Sequence, residues 1–130
     1  MMTNARATYM EASVATADPA RLLVMLCDRL VLDVQRGLSA QETGNRQEAH
    51  NQLIHAQAIV AELRGSLDTE GFDGAEQLGA IYDHLLHTLV SANVHQDQQA
   101  TRHCLSLVEQ IADTWRQAAL QLAQAPARTA

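Results

Sequence analysis

RLLVMLCDRLVLDV, Arg21–Val34, is the stretch whose periodicity decides the fold. Leu23, Cys27, Leu30 and Val34 recur at steps of four, three and four, and Leu38 continues the series. With one residue every 100° or so, that spacing lines one stripe of an α-helix. Asp28, Arg29, Asp33 and Arg36 mark the outward stripe. Leu22, Met25 and Leu32 project among those outward charges, so the helix is apolar nearly all round. A surface helix of a monomeric bundle needs only one apolar face.

Outward from that stretch, the rest of the chain repeats the helical pattern. The two prolines, Pro19 and Pro126, bracket the whole periodic region. Asp18 followed by Pro19 reads as an N-cap and a first helical position. Helix one then runs to about Ala40, and "ETGN" (Glu42–Asn45) is a turn. Helix two spans about Arg46–Asp68, and "TEGFDG" (Thr69–Gly74) breaks it. Helix three spans about Ala75–Val94. "HQD" (His95–Asp97) is a short turn with Asp97 as the cap of helix four, which runs to about Gln124. Helix two carries the stripe Ala49, Leu53, Ala56, Val60, Leu63, Leu67. Helix three carries Ala75, Leu78, Tyr82, Leu85, Leu89, Ala92, and helix four Cys104, Val108, Ile111, Trp115, Ala118, Leu122. Long helices joined by short turns make antiparallel neighbours. The expected fold is all-α: an antiparallel up-down four-helix bundle over 18–124, with an N-terminal leader (1–17) and a flexible tail (125–130).

Composition supports this and excludes several functions. The chain has 130 residues, enough for one domain with one core. Its apolar content is 47% but its aromatic content only 3%, so Leu, Ala, Val and Ile must build that core. A net charge of −6 lacks the basic footprint that nucleic acid requires. No apolar run reaches the length of a membrane span, and "MMTNARATYM" lacks the apolar segment of a secretory signal. All nine side-chain cations are Arg, which removes Schiff-base chemistry and a phosphate-loop lysine. Two free thiols inside helical stripes, Cys27 and Cys104, suit the cytosol.

Helix two also carries a surplus. Opposite its core stripe lie Ile54, Ala58, Ala61 and Gly65, again at steps of four, three and four. Small residues in file leave a shallow groove that a partner helix can approach, with Ile54 at its edge. Together with Leu22, Met25 and Leu32 they form a candidate partner surface. The leader holds Tyr9, Met10 and Val14 outside the first helix. These could cover that surface, or serve as a linear contact for another protein. A self-associating bundle, a homodimer on the same face, is the plainer alternative.

Catalytic readings find little support. No Glu-x-x-His pair of the bundle di-iron type occurs, and His84 and His87 point away from the Leu85 stripe. His50, His55, His95 and His103 show no paired spacing. Thiols in a core stripe are inert. No metal, cofactor or catalytic residue is therefore expected. A histidine phosphotransfer bundle would present one exposed His followed by Lys and Gly, which neither "HAQAIV" (His55–Val60) nor "HLLHTL" (His84–Leu89) offers.

Four segments in order carry a family resemblance. Tyr9 and "VATADPARLLVMLCD" (Val14–Asp28), "AQAIVAELRGSLD" (Ala56–Asp68), "LGAIYDHLLHTLVSAN" (Leu78–Asn93) and "DTWRQA" (Asp113–Ala118) together resemble the FliS family. The likeness covers about Ala7 to Ala119, and Cys27 stands where the family usually has Tyr before Asp. The resemblance implies a cytosolic chaperone that binds the disordered C-terminal segment of flagellin and prevents its premature polymerisation. It further implies delivery to the flagellar export gate, contacts with other flagellar regulators, and a partner or regulatory role for the leader bearing Tyr9.

Overall fold

The computed structural model describes residues 18–124, which form four helices. They are α1 (Pro19–Glu42), α2 (Arg46–Ser66), α3 (Ala75–His95) and α4 (Gln98–Gln124). Asp18 and Asp97 cap their helices as the sequence predicts, and Asn45, read from sequence only as the end of a turn, caps α2 as well. Asp18 accepts a hydrogen bond from the Ala20 amide at 3.2 Å with Pro19 in the first turn, and Asn45 accepts from the Glu48 amide at 3.1 Å. Asp97 caps α4 by accepting from the amides of Gln99 and Ala100. The turns rely on left-handed residues, Gly44 after α1 (φ 76°) and Gln96 after α3 (φ 50°).

Cross-helix contacts give the direction of each helix. Asp28 pairs with Arg116 near one end of α1, while Gln98 donates to the Gln41 carbonyl at the other, so α1 and α4 run oppositely. Asp33 meets His55 and Gly37 meets Leu53 along α1 and α2. Arg64 bonds Asp83, and Asn93 bonds His50, along α2 and α3. Tyr82–Trp115 and His84–His103 do the same for α3 and α4. The helices thus form a ring in which each packs on its chain neighbours and α4 closes onto α1.

The core is aliphatic, as the composition requires. Cys27, Leu30 and Val34 face Leu53, Ala56, Val60, Leu85, Leu89, Cys104 and Val108, all without solvent exposure. Each fully buried Leu or Val contributes about 1.5–3 kcal/mol of apolar transfer. Tyr82 is the largest buried side chain, and the Trp115 indole N–H donates to its hydroxyl at 3.2 Å.

Two expectations are corrected. Asp33 belongs not to the outward stripe of α1 but to a fully buried flank shared with Leu30, Gly37 and Ala40. α1 is the most heavily packed helix because α2 and α4 both lie close along it. Burial therefore spreads well beyond one stripe. At the other end of the chain, Ala118 is exposed and Leu122 is 64% exposed, although their spacing matches the core stripe of α4. α4 has 27 residues against 21 for α3, an excess of about 9 Å at 1.5 Å per residue, so its last turns run past α3 and lose that neighbour.

Candidate functional site

The outer faces of α1 and α2 hold most of the partner-surface residues expected from sequence. Met25 is 55% and Ile54 45% exposed. Ala58, Ala61 and Gly65 are exposed along α2 and line an open hollow of about 550 Å³ with Glu62 and Ser66. A Cβ added at Gly65 would meet nothing within 4 Å. Leu22 and Leu32 are half-buried, so part of the apolar surplus of α1 is covered within the chain. The antiparallel register set by Asp33–His55 and Gly37–Leu53 brings the Leu22–Met25 end of α1 alongside the Ala61–Gly65 end of α2. Tyr9, Met10 and Val14 lie outside the described residues.

A second apolar concavity escapes sequence reasoning. Between α3 and α4, Phe72, Leu78, Ile81, Leu107, Ile111 and Trp115 line a groove of about 380 Å³, with Gly74, Gln110 and Thr114 at its margin. This seam is the least extensively packed of the four. Phe72 meets Trp115 edge-on, ring centroids 6.1 Å apart, yet remains 47% exposed, and Ile81 is 41% exposed. The signals were present in the sequence. Phe72 is the one phenylalanine and sits in a turn, and Ile81 falls outside the Leu78–Tyr82–Leu85 stripe.

Among the described residues, the buried polar groups and histidines pair across helix seams. The buried Asp33 carboxylate accepts from Arg29 Nε at 3.0 Å and is bonded to His55 Nδ1, so His55 serves the α1–α2 seam. His84 Nε2 faces His103 Nε2 across α3 and α4. Sequence spacing gave no hint of either pairing, because each joins residues on different helices. Burial pushes the Cys27 thiol up to about 11, with Asp28 adding to the effect and Arg116 opposing it. Burial likewise pushes Cys104 up to about 12. Both thiols are protonated at neutral pH and unsuited to nucleophilic attack. Among the described residues, no helix is long and apolar enough to cross a membrane.

The described residues thus form an all-α bundle with apolar hollows on two sides. Comparison with known proteins supplies the family. The family model described as "Flagellar protein FliS" matches residues 2–122. The chain is 30% identical to the flagellar secretion chaperone FliS of Bacillus subtilis over 115 residues, 88% of this chain and 86% of that protein. It is 31% identical to the protein of the same name from Escherichia coli over 112 residues, 85% of this chain and 82% of the relative. The Salmonella typhimurium protein of that name is also 31% identical, over 82% of this chain and 81% of its own length. With nearly its whole length matched, and on the four-helix scaffold described above, the chain belongs to the FliS family of flagellar secretion chaperones.

Proposed function

We propose that this chain holds the C-terminal segment of flagellin in the cytosol, keeps it from polymerising before secretion, and helps deliver it to the flagellar export gate. The observation that carries this reading is the exposed apolar surface. Met25, Ile54 and the Ala58–Ala61–Gly65 hollow occupy one side of the bundle, and the Phe72–Ile81–Trp115 groove another. A client segment that wraps the bundle can use both. It binds by laying an apolar helical face into each concavity and becomes ordered as it does so. Apolar burial drives the association, and the ordering of the client offsets much of the gain, so release needs no nucleotide. Tyr9, Met10 and Val14 of the leader compete with the client for the α1–α2 face.

Titration calorimetry with the flagellin C-terminal segment tests the assignment. Met25→Glu and Ala58→Arg are each expected to weaken binding about tenfold, the equivalent of roughly 1.4 kcal/mol, without changing helical content. Unchanged affinity in both variants removes the α1–α2 face from the client site. Deletion of Met1–Ala15 is expected to raise affinity, and a fall would make the leader a direct contact. Sedimentation across concentration separates client binding from self-association, since a tight dimer unaffected by the segment contradicts this reading.

A further inference from the structure

Two imidazoles from different helices converge at the surface of the α3–α4 seam. His84 Nε2 and His103 Nε2 are 3.1 Å apart, with ring centroids 5.3 Å apart and planes 77° to each other. Both side chains are exposed. Their backbone positions are held by the core, because the next residues, Leu85 and Cys104, have no solvent exposure. Three of the other four histidines are drawn into pairings elsewhere. His55 is bonded to Asp33, His50 to Asn93, and His95 to the Ser91 carbonyl.

We propose that His84 and His103 form a binding site for a divalent transition metal of the zinc, nickel or copper class, bridging α3 and α4. Imidazole nitrogen suits these ions, which bind it at about 2.0–2.1 Å. At that bond length, nitrogens 3.1 Å apart subtend an angle of about 100° at the ion, between the square and the tetrahedral values. The separation is thus already that of two adjacent ligands on one metal. In the metal-free pair, one ring donates its Nε2 proton to the other. On binding, that proton moves to Nδ1 of the same ring, both Nε2 lone pairs face the ion, and no net proton is released. No group of three or more metal-ligating side chains converges among the described residues, so water fills the remaining positions. One turn from the pair, Ile81 and Leu107 line the α3–α4 groove, and the ion would tie the two walls of that groove together. This inference is independent of the proposed client.

The test uses the full chain without an affinity tag, titrated with zinc chloride and with nickel chloride in a non-chelating buffer. One equivalent is expected to bind, at least tenfold more weakly in His84→Ala and in His103→Ala. His87→Ala, which removes the same-helix neighbour of His84, is expected to bind as the unaltered chain does. Zinc is expected to raise Tm in the unaltered chain and in neither single variant, and to shift the imidazole ¹⁵N resonances of both rings. Circular dichroism of the two variants, both at exposed positions, checks that the bundle is intact. Absence of saturable binding overturns the site. So does binding that depends on His87 but not His103, or half an equivalent accompanied by dimerisation.

Discussion

Asp33 of α1, with no solvent exposure, is bonded across the helix seam to His55 of α2, and Arg29 supplies its second partner from one turn earlier. The carboxylate is the one member of the trio fully withdrawn from water. The side chains of Arg29 and His55 remain about half exposed. Cost therefore depends on which partner is removed. His55→Ala strands one carboxylate oxygen in the interior and is expected to destabilise the bundle by about 2 kcal/mol. Adding Asp33→Leu to that variant is expected to recover part of the loss, because the stranded group is then gone. Urea unfolding of both single variants and the double variant measures the coupling.

Glycines on the two sides of the bundle are predicted to respond oppositely to alanine. A Cβ at Gly37 would lie 2.8 Å from Leu53 Cδ2, and Leu53 has no exposed surface into which to move. Gly37→Ala is expected to cost about 1–2 kcal/mol, the overpacking penalty exceeding the gain in helix propensity. Gly65→Ala adds a methyl where nothing lies within 4 Å and is expected to stabilise by about 0.5 kcal/mol. Denaturant midpoints at constant slope decide both.

Trp115 is the sole tryptophan and lies against Phe72 in the α3–α4 groove, so its emission reports on that groove alone. A tryptophan-free flagellin C-terminal segment is expected to shift the emission to shorter wavelength at saturation. Phe72→Ala is expected to weaken the segment about tenfold, in line with the loss of roughly 1.4 kcal/mol of apolar contact. An unmoved spectrum at saturation confines the client to the α1–α2 face.

The buried thiols predict an alkaline loss of stability. In the folded chain Cys27 is raised to about 11 and Cys104 to about 12, against an ordinary value of 9.0. The folded state therefore retains thiol protons that the unfolded chain releases. Stability from this source is complete below about pH 9 and falls as pH rises from 9 towards 11 and 12. Burial also raises Tyr82 and adds to the decline. Urea midpoints are expected to be level from pH 7 to 8.5 and lower at pH 10. Cys27→Ala with Cys104→Ala should flatten the slope whatever the absolute stability of the double variant. Iodoacetamide is expected to label neither thiol in the folded chain and both after denaturation.

The sequence by itself determined the helices and their ends. Asp18–Pro19 and Asp97 specify two helix starts through local side-chain and ring geometry. Periodic apolar residues specify the line along each helix that enters the core. The small file Ala58–Ala61–Gly65 was also legible as an outward face, because four-three spacing fixes its angle from the core stripe. Tertiary structure alone decided what covers the flanks of each stripe. Asp33 reads as an outward charge until α2 lies against it with His55, and Leu122 reads as core until α4 outruns α3. The Phe72–Trp115 groove and the His84–His103 pair likewise arise from the register between helices. Helical period fixes direction around one axis, and the offset and closeness of two axes come only from packing them together.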